Sequence, residues 1–359
     1  MTAIIRYIRK RPLDVLLLFA FIAPVAHWLG IPEVIGFVLS AIALIPLAGL
    51  IGRATESLAV YTGPKIGGLL NATLGNAAEL IITIVAIKAG LLELVKASIT
   101  GSILGNLLLV LGLAIFLGGR KHGLQSFDRK HAMNNAILMT ISILALLIPS
   151  VFSHSIGADG SLRVEVMSLG VAFMMIILYV AGLVYSLTSS KHATQAQIDA
   201  ETHKPEWSKL RSFIMLGIAT VGVVLMSEIL VSGVEMVTST LGLSEFFIGI
   251  ILIPIIGNVA EHLVAVTTAL RNQMDLSVEI AVSSSIQIAL FVAPMLVFLS
   301  LAMGNPMTLI FNQLELISII CAVLITALVS IDGESNWLEG LSLLFVYIIL
   351  GLAFFLMPV

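Results

Sequence analysis

Two short motifs, one in each half of this 359-residue chain, carry the side chains best suited to binding a cation. Residues 75–79 read Gly-Asn-Ala-Ala-Glu and residues 257–261 read Gly-Asn-Val-Ala-Glu, so the motifs lie 182 positions apart. The same offset relates Ser102 to Ser284 in the apolar stretch that follows each motif. An acid, an amide and a hydroxyl repeated at one offset indicate an internal duplication that carries a polar site.

The candidate ligands in these motifs all offer oxygen atoms. The asparagine and glutamate of each motif are three residues apart and therefore share one face of a helix. Two carboxylates, two amides and two hydroxyls suit a hard divalent cation, since Ca²⁺ takes about 6–8 oxygen ligands. A single cysteine, Cys321, and the absence of a histidine cluster do not favour Zn²⁺ or Cu⁺. The predicted metal-binding residues are Glu79, Glu261, Asn76, Asn258, Ser102 and Ser284.

Further polar residues are predicted to line or gate this site. Asn106 and Gln287 follow the two serines by four and three positions, and His262 follows Glu261 where the first motif has Leu80. Histidine titrates near neutral pH, so His262 suits either a pH gate or a hydrogen bond behind Glu261. For the asparagines, serines and glutamine, hydrogen bonds that only pack helices together are the alternative. The acids upstream of the motifs form a candidate gating cluster on the cytoplasmic side: Glu56, Glu228 and Glu235.

The composition places these motifs in a membrane. Hydrophobic residues make up 59% of the chain and charged residues 11%, whereas a soluble domain carries about a quarter charged residues. The mean hydropathy is +1.11, and 18 Lys and Arg against 21 Asp and Glu leave no basic excess for a nucleic acid. These values exclude a soluble globular protein, a disordered chain and a nucleic-acid binder, and they predict an all-α membrane protein.

Eleven apolar stretches are long enough to cross a bilayer, which takes about 20 residues of helix. Fifteen of the 18 lysines and arginines fall in cytoplasmic segments if the N-terminus is inside, and only Lys88, Lys96 and Arg163 fall outside. This predicts a multi-pass protein with a cytoplasmic N-terminus and an external C-terminus. The predicted spans are residues 13–30, 33–52, 66–89, 94–118, 131–151, 163–187, 209–239, 244–270, 275–303, 312–331 and 336–357.

The spans predict one transporter domain over residues 1–359, built from an internal repeat. Residues 1–30 form an extra helix, and a polar cytoplasmic linker at 188–208 separates a first repeat (33–187) from a second (209–357). Five helices per repeat is an odd number, so spans 2–6 and 7–11 enter the membrane from opposite faces.

Both motifs are predicted to interrupt their helices. Gly75 and Asn76 weaken the first helix, and Pro254, Gly257 and Asn258 weaken the second, because glycine and proline loosen the hydrogen-bond ladder. Interrupted helices at matching places in inverted repeats are typical of a transporter's central site. Two other intramembrane acids, Glu279 and Glu315, are interpreted as structural and close to helix ends.

The paired carboxylates also suggest how transport is driven. Inverted repeats that cross at a two-fold axis would bring Glu79 and Glu261 together at mid-membrane, where two neighbouring carboxylates do not both ionise easily. Protons and a divalent cation would then compete for the same groups. Competition at a site open to one side at a time produces exchange, and the chain has no P-loop pattern for ATP.

On these motifs the chain resembles the calcium/proton antiporter (cation/proton exchanger, CAX) family of the calcium/cation antiporter superfamily. The resemblance implies that Glu79 and Glu261 alternately bind Ca²⁺ and protons and that Asn76 and Asn258 shape the site. Residues 55–59 (Thr-Glu-Ser-Leu-Ala) resemble the family's segment before the first motif. A short N-terminus and a linker of mixed charge are expected of a prokaryotic plasma-membrane member.

The predicted function is therefore export of cytosolic Ca²⁺ in exchange for H⁺ by alternating access. The alternatives are exchange of Mn²⁺, Na⁺ or K⁺ on the same fold, or a cation channel. An enzyme is not predicted, since the metalloprotease pattern His-Glu-x-x-His is absent. No cofactor and no nucleic-acid partner are expected; the partners are the two ions and the lipid bilayer, with homo-oligomerisation left open.

Overall fold

A computed structural model describes residues 11–157, 161–188 and 205–357. Most of the predicted linker and the first ten residues of the predicted extra helix lie outside the described residues. In the first half, a 3₁₀ segment Pro12–Leu18 leads into α1 (Phe19–Trp28), α2 (Glu33–Leu74), α3 (Ala77–Lys88), α4 (Leu92–Leu104), a π-helical segment Gly105–Val110, α5 (Leu111–His122), β1 (Gln125–Ser126), α6 (Arg129–Ile156) and α7 (Leu162–Thr188).

The second half has the same helical character. It comprises α8 (Lys209–Ser232), α9 (Val234–Leu241), the single turn α10 (Glu245–Phe247), a π-helical segment Ile248–Leu252, α11 (Ile253–Leu270), α12 (Met274–Gln287), a π-helical segment Ile288–Val292, α13 (Ala293–Ala302), α14 (Gln313–Val329), β2 (Glu334–Ser335) and α15 (Trp337–Phe355). The all-α prediction is therefore confirmed, apart from one two-residue strand pair.

Eight helical stretches are long and apolar enough to cross a membrane, and two shorter apolar helices, Pro12–Trp28 and Gln313–Val329, lie on the predicted first and tenth spans. The predicted third span is divided between the end of α2 and α3. Every predicted span thus coincides with helix, while the count of eleven crossings stays a prediction.

The chain forms two compact units, and each draws residues from both sequence repeats. Unit 1 contains residues 1–89, 181–243 and 256–260, and unit 2 contains 90–180, 244–255 and 261–359. In unit 1, α8 packs along α2 and also contacts α1 and α3. In unit 2, the helical stretch from Leu92 to His122 is the most buried of the eight candidate spans, and α12, α14 and α15 pack against it.

A buried tryptophan anchors the start of α8 in unit 1. Trp207 is 8% exposed, and the guanidinium carbons of Arg53 and Arg211 lie 5.8 and 5.6 Å from its ring centroid. The Tyr61 hydroxyl donates to the Trp207 carbonyl at 3.1 Å, and Arg53 pairs with Asp14 at 3.1 Å. These contacts join α2 to the residues that lead into α8.

The backbone repeats at the offset that the motifs predict. Gly63 and Gly242, each seven residues after an upstream glutamate, have φ of +81° and +67°. Gly90 and Asn272, 182 residues apart, have φ of +81° and +62° at the turns that follow the two motif helices. The left-handed region is favourable only for glycine and tolerable for asparagine, which explains both residue types. The π-helical segments Gly105–Val110 and Ile288–Val292 also fall on corresponding helices.

The two motif helices differ in one respect. The first interruption is confirmed, since α2 ends at Leu74 and α3 begins at Ala77. The second prediction is wrong, because α11 runs without a break through Gly257 and Asn258. Pro254 lies in the first turn of α11, where its missing N–H costs nothing, and the irregularity is shifted to the π-helical segment before it.

Candidate cation site

The break between α2 and α3 sets the position of the first carboxylate. Asn76 is the N-cap residue of α3, which places Glu79 in the first turn of that helix. Glu79 is 2% exposed, and the positive end of the helix dipole favours a negative charge there. The side-chain Nδ2 of Asn258, itself buried, donates a hydrogen bond to Oε1 of Glu79. An amide from the second motif therefore holds the carboxylate of the first within unit 1.

The glycine of the second motif lets these groups approach one another. A Cβ atom added at Gly257 would lie 3.1 Å from Cγ of Glu79, closer than most real contacts of that kind. The glycine is required here for close packing and not for flexibility, since α11 is regular at this point. Two neighbouring positions of the second motif, Gly257 and Asn258, thus both accommodate Glu79.

The second carboxylate is held by a chain of hydrogen bonds within unit 2. The Ser284 hydroxyl donates to Oε2 of Glu261 at 3.0 Å and accepts from Nδ2 of Asn106 at 3.1 Å. Ser284 and Asn106 are buried. The two repeat-related stretches after the motifs contribute one residue each to this chain. A hydroxyl that donates to a carboxylate stabilises its ionised form, and that form is the one that binds a cation.

The other predicted site residues fall in three groups. Asn76 and Ser102 are buried, at 3% and 2% exposure, and Gln287 is partly exposed. Nε2 of His262 is buried and has no hydrogen-bond partner among the described residues. The side chains of the predicted gating acids are exposed within unit 1, and their action as a cluster stays a prediction: Glu56, Glu228 and Glu235.

Carboxylates alone do not make a cation site in the described part of the chain. No group of three or more His, Cys, Asp or Glu side chains is close enough there to hold a metal ion. A bound cation would therefore need the amide and hydroxyl oxygens that accompany each glutamate. This agrees with the mixed oxygen set expected from the motifs.

Two contacts near the site were missed from the sequence. A Cβ at Gly101 would lie 2.0 Å from the Ile250 carbonyl oxygen, so α4 and the π-helical segment touch backbone to backbone beside Ser102. The position of Gly101 directly before a candidate ligand was the available signal. Glu315, interpreted as structural, does lie at a helix end, but its carboxylate also accepts a hydrogen bond from Thr100 at 3.2 Å.

Comparison with known proteins gives the same picture over nearly the whole chain. The family model described as "Sodium/calcium exchanger protein" matches residues 32–188 and 211–356. The chain is 45% identical over 358 residues to the Ca(2+)/H(+) antiporter of Aphanothece halophytica, covering 96% of each protein. It is 45% identical over 340 residues to the Ca(2+)/H(+) antiporter ChaA of Bacillus subtilis (strain 168), covering 94% of this chain and 95% of that protein.

A solved structure agrees with these relatives. The structure of native YfkE superimposes with a TM-score of 0.83 at 41% identity, covering 96% of this chain and 100% of that one. The matched ranges include both Gly-Asn-x-Ala-Glu motifs and the serines that follow them. The chain therefore belongs to the sodium/calcium exchanger protein family and, within it, to the cation/proton exchanger branch that its motifs resemble.

Proposed function

We propose that this chain is a secondary active antiporter that exports Ca²⁺ from the cytosol in exchange for H⁺. The observation that carries the proposal is the hydrogen bond from Asn258 to Glu79, which joins the two copies of the motif. The similarity to Ca²⁺/H⁺ antiporters at 45% identity supports the choice of ions.

Glu79 and Glu261 are the exchange carboxylates of this proposal. Each is held by hydrogen-bond donors, Asn258 for Glu79 and Ser284 for Glu261, so each is kept ionised and oriented while no cation is bound. Proton binding removes the negative charge that Ca²⁺ requires. The two ions therefore compete for the same oxygen atoms, and alternating access converts this competition into coupled transport.

The asparagine amide can serve both states of the site. Its NH₂ group donates to the Glu79 carboxylate in the present structure. A half-turn about the last side-chain bond replaces that NH₂ by the carbonyl oxygen, which is a Ca²⁺ ligand. Asn258 would thus hold the carboxylate without the cation and help to coordinate the cation when it arrives.

The remaining assignments belong to the same proposal. Asn76, Ser102 and Ser284 complete the oxygen set, while Asn106, Gln287 and His262 line it. The upstream acids Glu56, Glu228 and Glu235 gate access from the cytoplasm. The protein lies in a prokaryotic plasma membrane with its N-terminus inside, as the distribution of lysines and arginines indicates.

The test is Ca²⁺ transport by purified protein. Acid-loaded proteoliposomes are given radioactive Ca²⁺ with and without a protonophore, and Glu79→Gln and Glu261→Gln are compared with wild type. Glu339→Gln, which changes a carboxylate in a helix cap of unit 2, is the matched control. Uptake should collapse with the protonophore and with either motif variant, and survive in the control.

Other results would contradict the proposal. Uptake that ignores the proton gradient would indicate a channel. Proton-driven uptake of Mn²⁺, Na⁺ or K⁺ without uptake of Ca²⁺ would keep the fold and change the ion. Full activity in Glu261→Gln would remove that residue from the mechanism.

A further inference from the structure

Unit 2 contains a buried carboxylate that the proposed exchange does not use. Glu315 is 1% exposed in the first turn of α14. Its backbone N–H donates to Asn312 Oδ1, and its Oε2 accepts from the Asn312 backbone N–H, both at 2.8 Å. This reciprocal pair is a capping box, which satisfies two backbone donors at the start of the helix.

A second capping box in the same unit shows what capping alone requires. Asn336 and Glu339 make the same pair at the start of α15, where the Glu339 carboxylate accepts from the Asn336 N–H at 3.0 Å. Glu339 is partly exposed, whereas Glu315 is fully buried. The cap needs one carboxylate oxygen. In Glu315 the other oxygen accepts from the hydroxyl of Thr100, which is itself 0% exposed on α4.

The charge on Glu315 is not balanced by an ion pair among the described residues. The charged groups that act on it are Lys96 and Glu93 of α4, and the described side chains of α6 and α15, which also pack against α14, add none. The Lys96 ammonium is already engaged by Glu93 at 2.5 Å and by the Ile310 carbonyl at 3.1 Å. A buried, unpaired acid in a membrane helix is costly, and glutamine would cap the helix equally well.

The contact with Thr100 leads directly to the candidate site. Thr100 is two residues before Ser102, and Gly101 between them packs against the Ile250 carbonyl oxygen. With this packing on one side and Glu315 on the other, α4 is held at the turn that presents Ser102. The cap of α14 and the start of α4 belong to the face that the lysine and arginine count predicts to be extracellular.

We infer that Glu315 is a positioning residue for exchange, whose ionised carboxylate holds Thr100 and releases it on taking up a proton from the extracellular side. This inference rests on the proposed Ca²⁺/H⁺ exchange. An ionised acceptor makes the stronger hydrogen bond, so the attachment of α4 to α14 weakens when Glu315 is neutral. Glu315 acts through Thr100 and touches neither transported ion.

The experiment separates the charge from the cap. Everted membrane vesicles, whose lumen corresponds to the extracellular side, are assayed for Ca²⁺ uptake over a series of luminal pH values. Glu315→Gln keeps the capping hydrogen bond and removes the charge, and Thr100→Val removes the hydroxyl and leaves the cap untouched. The controls are Glu339→Gln in the other capping box and Thr268→Val, whose hydroxyl bonds only carbonyls of its own helix.

Both test variants should change the luminal proton concentration for half-maximal uptake by roughly tenfold, the factor expected of one charge-assisted hydrogen bond. Both controls should match wild type. Equal profiles for Glu315→Gln and Glu339→Gln would overturn the inference and leave Glu315 as a helix cap. Glu261→Gln in the same vesicles tests the proposed function separately, since proton-driven uptake by that variant would contradict the exchange mechanism whatever Glu315 does.

Discussion

The amide of Asn258 donates a hydrogen bond to the carboxylate of Glu79, although the two residues lie in different copies of the motif. Each copy therefore does more than supply its own ligands, because the second copy positions the acid of the first. Gly257 contributes to the same arrangement, since any side chain there would press on Glu79. Loss of either residue should disturb Glu79 without removing a charge.

Replacing Asn258 by alanine should weaken Ca²⁺ transport. The change removes both the donor that holds Glu79 and the amide oxygen proposed as a ligand. A hydrogen bond to a charged group contributes about 1.5–3 kcal/mol, so the apparent KM for Ca²⁺ should rise at least about tenfold. Initial uptake rates over a Ca²⁺ series measure this. Asn134→Ala, an amide outside the motifs on α6, is the control, and a similar rise in that variant would contradict a specific role.

Neighbouring serines on α12 should differ sharply in their importance. Ser284 donates to Glu261 at 3.0 Å, whereas the Ser283 hydroxyl bonds the Glu279 carbonyl of its own helix. We expect Ser284→Ala to lower transport about tenfold, and Ser283→Ala to change it by less than about twofold, because only the first leaves a carboxylate without its donor. Equal loss in both variants would mean that packing of α12, and not the contact with Glu261, is what matters.

Alanine at Gly101 should prevent normal assembly of unit 2. Its Cβ would lie 2.0 Å from the Ile250 carbonyl oxygen and 2.7 Å from Cγ of Pro254, so α4 and the facing segment must separate. Overpacking of this kind typically costs about 1–3 kcal/mol. Thermal unfolding in detergent should shift downwards and transport should fall. Gly105→Ala, where a Cβ meets nothing within 4 Å, should retain the stability of wild type; a stable, active Gly101→Ala would refute the packing argument.

Acidification on the side from which Ca²⁺ binds should raise the apparent KM for Ca²⁺. A proton on Glu79 or Glu261 removes the charge that attracts the cation, so binding is strongest where both acids are ionised and is lost as the pH falls. Linkage limits the effect to about tenfold in KM per pH unit for each proton displaced. Uptake measured against Ca²⁺ concentration at several pH values gives the slope. A maximal rate that changes while KM stays constant would be evidence against direct competition.

Local sequence features were sufficient to predict the helical membrane fold and the repeat. Burial in lipid demands long apolar helices, and such stretches are visible in the residue order alone. The offset of 182 residues found in the motifs reappears in the backbone, where Gly90 and Asn272 both have positive φ. These properties depend on short stretches of chain, so the sequence determines them directly. The break after Leu74 was predicted for the same reason.

Contacts between distant segments were decided by the tertiary structure. Nothing in the spacing indicates that Asn258 holds Glu79, that Thr100 bonds Glu315, or that α11 continues through a glycine-asparagine pair. The last of these depends on Pro254 falling in the first turn of a helix, where it does no harm, with the irregularity displaced to a π-helical segment. The sequence by itself determined which residues are polar inside the membrane and that they are duplicated. Only packing determined which atoms meet, because a hydrogen bond requires a distance and an angle between helices far apart in the chain.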